Sequence, residues 1–296
     1  MELPSGAIRM GQVRIIEKVW KSKPTMEGAG VSLNRAFGFY EVPLFDPFLL
    51  LDDFGSGNPD DYLAGFPWHP HRGIETITYM IEGEVQHGDS LGNKGVIGTG
   101  DVQWMTAGSG IIHEEMPKRQ EGMMAGFQLW ANLPSSDKMM NPRYRDIRSN
   151  DIPEVSLGDS AKAKIIAGEI DGVKGPVQDV VTDPEYLDVT VNPNSEFRHR
   201  IERGHNVFAY VFEGEAFFDT DKTKICGLKN VILFGDGDEV AIATEDEPVR
   251  FLLISGKPIR EPVAWRGPIV MNTKEELQDA FDEYRNGRFI KFDGSE

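Results

Sequence analysis

Cysteine is almost missing from this chain. Cys226 is the one cysteine in 296 residues, so no intramolecular disulfide can form, which suits a reducing compartment. No apolar run approaches the roughly 20 residues that span a bilayer, and the N-terminus lacks a basic segment leading into an apolar one, as a signal peptide would require. A soluble cytoplasmic protein is expected, and a nuclear one as well if the source is eukaryotic. Positive charge is also scarce. Lysine and arginine number 31 against 48 acidic residues, a net charge of −17. Direct nucleic-acid binding needs cations to displace counterions, so it is not expected, and polyanionic substrates are disfavoured by long-range repulsion. The basic group Arg143, Arg145 and Arg148 reads as part of a solvated connection.

Histidine is rare too, with six residues in all, yet three of them fall in two short pieces. One is Trp68-His69-Pro70-His71-Arg72-Gly73 and the other is Gly110-Ile111-Ile112-His113-Glu114-Glu115. Side chains at i and i+2 of a strand share a face. His69 and His71 therefore project together from one strand, and His113 and Glu115 from another. If those strands are neighbours, three imidazoles and a carboxylate converge on one point. Such a set suits a first-row metal with positions left open for chemistry. Glu75 is an alternative carboxylate, since it has the same strand parity as His71.

Short apolar or alternating runs broken by glycine turns fill most of the chain. An opening strand is expected within 7–21, a buried strand at Phe48–Leu51, and a strand–turn–strand unit over Ile74–Gly88. Helical periodicity is nearly absent until the end, so an all-β barrel or sandwich is expected. The second half echoes the first: Tyr79–Glu84 resembles Tyr210–Glu215, and Gly98–Asp101 resembles Gly235–Asp238, in the same order. Two copies of one β fold account for this. The first spans 1–133, a polar linker 134–150, and the second 151–296. Aligned on these echoes, Arg200 and Glu202 stand opposite His69 and His71, while Arg250 and Leu252 stand opposite His113 and Glu115. The second copy lacks the ligand set, its His199 and His205 have no partner of matching parity, and it reads as structural or as a partner surface. A last helix is expected after the N-cap candidates Asn272-Thr273, with Leu277, Ala280, Phe281 and Tyr284 as its apolar stripe.

Several segments together resemble the pirin family of the cupin superfamily: Leu49–Phe54, His69-Pro70-His71-Arg72-Gly73-Ile74-Glu75-Thr76, Gly100–Gly108, His113-Glu114-Glu115-Met116-Pro117 and Gly267–Thr273. The resemblance covers nearly the whole chain. It implies two tandem cupin (jelly-roll β-barrel) domains with a C-terminal helix. It also implies a metal in the first domain held by His69, His71, His113 and Glu115, with Glu75 left as a support that holds an imidazole N–H. Fe(II) is the metal expected; manganese, nickel, copper and zinc suit the same donors. The activity implied is dioxygenase opening of the central ring of flavonols such as quercetin with O2, releasing CO, with Glu115 taking the substrate proton. Phe54, Phe66, Trp68, Trp104, Met105 and Phe127 are candidates for the apolar pocket. The alternative implied is an iron-dependent, redox-responsive regulatory protein that engages a protein partner; a third reading is a cupin acting on another small ligand. A monomer is expected.

Overall fold

The computed structural model describes residues 11–292, so the beginning of the expected opening strand, 7–10, lies outside the described residues. Strands dominate, and Lys274–Arg285 is the α-helix among the described residues. Two barrels follow each other along the chain. The large sheet of the first runs Arg143–Ile147, Val102–Thr106, Ile74–Glu82, Met124–Asn132, Phe48–Ser56, Val31–Phe37, Lys23–Glu27 in spatial order. Its small sheet runs Phe66–His71, Ile111–Pro117, Val85–Asp89, Lys94–Ile97. In the second barrel, the strands Asn206–Phe217, Val249–Gly256, Glu185–Val191 and Ala161–Ala167 are consecutive neighbours, and Glu196–Arg200 pairs with Glu239–Ala243.

The two ends of the described chain cross between the barrels. Ile16–Lys21 does not join the first barrel; it pairs with Asn230–Phe234 of the second. Buried Arg14 continues that attachment, donating to the carbonyls of Glu202, His205 and Gly235. The C-terminal segment returns to the first barrel, where Arg72 pairs in parallel with Ile269 and Ile112 packs among Met271, Ala280 and Phe289. The connection 134–150 also contributes a strand, because Arg143–Ile147 pairs with Val102–Thr106.

Strand parity explains where the cores lie. Phe48–Ser56 and Ile74–Glu82 are buried along most of their length, as is usual for strands covered on both faces. One face of each looks into its own barrel and the other meets the second barrel. Leu51, Ile77, Tyr79, Phe127 and Leu129 meet Phe208, Tyr210, Leu252 and Ile254 in one core shared by both halves. Phe37 stacks on Phe45 with centroids 3.8 Å apart, and Phe208 packs edge-on against both.

Two tyrosines stitch this interface in a reciprocal way. Tyr79 donates its hydroxyl to Asp188 at 2.7 Å, and Tyr210, its counterpart in the sequence echo, donates to Asp53 at 2.6 Å. Asp188 is also held twice by Arg250, at 2.9 and 2.8 Å. Asp53 has no such second donor among the described residues, and burial pushes its carboxyl up. Tyr210→Phe should therefore cost about 2 kcal/mol, and Tyr79→Phe less, when stability is measured by urea unfolding. Equal losses would show that Arg250 does not compensate at Asp188.

The C-terminal helix begins with a capping box. Thr273 accepts from the Glu276 N–H, and the Glu276 carboxylate accepts from the Thr273 N–H, which satisfies two groups left free at a helix start. Ala280 is its buried residue, with Leu277 and Phe281 packed alongside.

Candidate metal centre

His113 lies directly opposite His69, and Ile111 opposite His71, across the pairing of Ile111–Pro117 with Phe66–His71. Opposed residues in an antiparallel pair share a face, so the three imidazoles meet. The ring centroids of His69, His71 and His113 lie 4.4–5.0 Å apart, and one ring nitrogen from each falls within 4.8 Å of the others.

Backbone carbonyls fix the tautomers. His69 Nδ1 lies 2.9 Å from the Pro67 carbonyl, and His71 Nδ1 lies 3.0 Å from the Pro268 carbonyl. A carbonyl can only accept, so each Nδ1 carries the proton and each Nε2 a lone pair. The two Nε2 atoms face each other at 3.1 Å. Two acceptors at that distance repel unless a cation stands beside them. Burial, then neighbouring histidines, push His71 and His113 well below the usual imidazole range, so these two rings favour the neutral form. His113 is buried and neither of its ring nitrogens has a partner. Neutral imidazoles with free nitrogens and a nearby carboxylate fit a divalent metal by the chemistry of the donors.

Glu115 belongs to a second group. Its carboxylate accepts from Thr78 at 2.9 Å and groups with His87 and His113, ligand atoms again within 4.8 Å of one another. His113 is thus common to both groups. Glu75 stands elsewhere: its carboxylate accepts from Thr106 at 2.6 Å, and burial pushes it up. The support of imidazole N–H groups expected of Glu75 is supplied instead by the carbonyls of Pro67 and Pro268.

His87 is absent from the ligand set expected from the sequence. It lies on Val85–Asp89 opposite Glu115, is fully buried, and has both ring nitrogens unpartnered. Its ring stacks on Tyr144 at 5.0 Å. The spacing His87-Gly88-Asp89 matches the parity of the other ligand pairs, which is the signal that could have found it.

A cavity of about 780 Å³ opens onto His69, His71 and Glu115. Phe54 and Phe66 line it, and Trp68, Trp104, Met105 and Phe127 do not. Trp68 is half exposed on the outer side of its strand. Trp104 and Phe127 point the other way, into the core shared by the barrels, and Met105 packs with Leu49 and Ile111. Shifted by one residue, Gln128 and Trp130 face the cavity, with Leu33 and Leu50. Trp265, Gly267 and Pro268 add a wall from the returning C-terminal segment. Trp130 meets the edge of His71 at 5.0 Å.

Gly73 follows the first ligand pair at φ +78°, and a Cβ there would come within 2.0 Å of the Val270 carbonyl oxygen. Buried Lys138 ties the same point together, donating to the carbonyls of Gly73 and Val270 and to the Asn132 side chain at 2.9, 3.1 and 2.7 Å. Arg72 donates to the Ser109 and Phe289 carbonyls and to Glu283. The ligand strand is thereby bolted to the C-terminal segment.

On the far wall of the cavity Arg35 holds Asp52 with two hydrogen bonds, at 2.8 and 2.7 Å, and also pairs with Glu27 at 2.8 Å. Burial pushes the Asp52 carboxyl up to about 6 in spite of Arg35. Removing Arg35 strands a buried carboxylate, which costs about 3 kcal/mol or more. The carboxyl is then more readily protonated in the folded chain than in the unfolded one, so acid favours folding. The deficit of Arg35→Ala relative to wild type should be largest at alkaline pH, shrink as pH falls toward about 6, and level off below it, where the wild-type carboxyl is protonated as well. A deficit that holds steady down to pH 5 would mean that Asp52 is not its source.

Residues 30–131 match the family model described as Pirin, and residues 186–290 the model described as Pirin C-terminal cupin domain. A pirin-like protein of Caulobacter vibrioides is 44% identical over 278 residues, covering 94% of this chain and 99% of that one. A pirin-like protein of Solanum lycopersicum is 43% identical over 276 residues, covering 93% and 92%. Among solved structures, a quercetin 2,3-dioxygenase from Acinetobacter baumannii superposes with a TM-score of 0.87 at 33% identity, covering 94% of this chain and 98% of that one.

Proposed function

The chain belongs to the pirin family, and from that premise we propose that it is a metal-dependent dioxygenase that opens the central ring of a flavonol such as quercetin with O2 and releases carbon monoxide. The observation that carries this reading is the facing pair of Nε2 lone pairs, 3.1 Å apart, at the inner end of a largely apolar cavity. His69, His71, His113 and Glu115 would hold the metal. A divalent ion there, Fe(II) first among those suited to these donors, supplies Lewis acidity toward a bidentate oxygen donor and a partner for O2.

The chain's own residues do the rest. A cavity of about 780 Å³ falls within the range of roughly 300–1,000 Å³ that holds a drug-sized molecule. Leu33, Leu50, Phe54, Phe66 and Trp130 give it apolar walls for a flat polycyclic body. These walls orient the 3-hydroxyl and 4-carbonyl toward the histidines and keep water away. Glu115 takes the 3-hydroxyl proton, and Thr78, 2.9 Å from its carboxylate, steadies it. His87 backs Glu115 from the neighbouring strand.

The test is carbon monoxide release from quercetin by protein loaded anaerobically with Fe(II), measured as O2 is admitted. Release that tracks O2 uptake is expected. No release from protein with iron bound would overturn the reading and leave a redox-responsive binding module as the better account.

A further inference from the structure

The second barrel has a cavity of its own, of about 520 Å³, and it opens at the place equivalent to the first. In the first barrel Phe66–His71 leads into Ile74–Glu82, whose neighbours in order are Met124–Asn132, Phe48–Ser56 and Val31–Phe37. In the second, Glu196–Arg200 leads into Asn206–Phe217, followed in the same order by Val249–Gly256, Glu185–Val191 and Ala161–Ala167. The second cavity is bordered by Arg200, Ser255, Glu185 and Gly168, at the ends of four of these strands. The sequence echo places Glu202 opposite His71 and leaves His205 without a partner of its own parity. The fold supplies partners from outside that register. Asp183, just before the strand Glu185–Val191, meets Glu202 and His205, with one ligand atom from each within 4.8 Å of the others.

We propose that Asp183, Glu202 and His205 form a second binding site, for a divalent first-row cation, at the mouth of the second barrel. His205 is nine-tenths buried. Its ring makes no hydrogen bond among the described residues, and the closest Glu202 oxygen is 3.9 Å from its Nε2, beyond hydrogen-bond reach. Its ring lines the cavity and is left free to bind a ligand there. The scaffold beneath it is fixed. Arg14 donates to the Glu202 carbonyl at 2.8 Å and to the His205 carbonyl at 3.0 Å, so the loop that bears both ligands is anchored from below.

The charge of the cavity selects the sign of the ligand. Carboxylates among its lining residues outnumber lysine and arginine five to two. Glu185 is already engaged by His199 at 2.8 Å, which leaves the trio as the point where free donors converge. One imidazole nitrogen with two carboxylates suits zinc, manganese, nickel or iron better than magnesium or calcium, which prefer oxygen alone. Three protein ligands also leave room for water, so binding should be weaker than at a centre with four.

The test uses the full chain in a His113→Ala background, which separates this site from the first. Chelator-treated His113→Ala and His113→Ala/His205→Ala proteins are dialysed against Zn(II), and bound zinc is measured by elemental analysis. Loss of one zinc per chain on removing His205 is expected. Equal zinc in the two proteins would overturn the proposal, whatever the activity of the first barrel. Asp183→Asn, an exposed loop change that leaves the fold intact, should weaken zinc binding at least tenfold in the same background. Unchanged affinity in that variant would also overturn the proposal. An equal concentration of Mg(II) should not displace the zinc.

Discussion

His113→Ala should lose metal binding and turnover together, and keep its fold. His113 is the imidazole common to both clusters, within reach of His69 and His71 on one side and of His87 and Glu115 on the other. Its removal breaks every three-ligand arrangement among these five residues. Support groups behind a ligand already change metal affinity by about 10- to 100-fold, so loss of this ligand should weaken binding by more than about 100-fold. Carbon monoxide release should fall below detection. Stability should behave differently. His113 is buried with both ring nitrogens unpartnered, and each such group costs about 1–3 kcal/mol. With chelator present, the alanine variant should unfold at a urea concentration close to that of wild type. Added Fe(II) or Mn(II) should then stabilise the wild type more than the variant. Retained turnover in the variant would remove the site from the reaction. A large loss of stability in chelator would mean that the three imidazoles are a packed core and not a binding site.

Gly73→Ala should be among the most damaging single-methyl changes in the chain. The φ of +78° already disfavours any L side chain, by about 1–2 kcal/mol. The added Cβ also meets the Val270 carbonyl oxygen at 2.0 Å, and that oxygen cannot move freely because Lys138 donates to it. A loss of about 3 kcal/mol or more is expected in urea unfolding. Gly92 is the control. It has a similar φ of +89°, but a methyl group added there would have nothing within 4 Å, so its alanine variant should show only the backbone cost, about 1 kcal/mol. Gly73→Ala should also lower metal affinity. The segment it displaces carries the Pro268 carbonyl that holds His71 Nδ1. Similar losses at Gly73 and Gly92 would mean that the Val270 contact relaxes without strain.

Much of this could be read from residue spacing. The parity of His69 with His71 is a property of a few adjacent residues, and the pairing of the two strands adds a single long-range fact. The echo of Tyr79 in Tyr210 is visible as well, and the reciprocal bonds to Asp188 and Asp53 give it a physical meaning. What spacing does not reveal is everything that depends on which face of a doubly covered strand looks inward. Phe127 and Trp130 are equally apolar, and both faces of their strand are buried, so hydrophobicity alone cannot tell cavity from core. The importance of His87 depends on the register that sets it opposite Glu115. The approach of His205 to Asp183 is hard to foresee because the two lie on different connections. The strand Ile16–Lys21 looks like any opening strand, and nothing local reveals that it pairs with residues near 232.

The crossing of segments between the barrels bears on how the protein comes into being. His71 is steadied by the Pro268 carbonyl, and that anchor is synthesised 197 residues later. A nascent first barrel can pair its strands but cannot yet hold that imidazole in its working tautomer. Completion of the histidine cluster therefore has to wait for the C-terminal segment. The same crossing makes the halves poor candidates for exchange by recombination. A cut between them would leave the second barrel without the strand that contains Trp20, and the first without the carbonyl that orients its histidine.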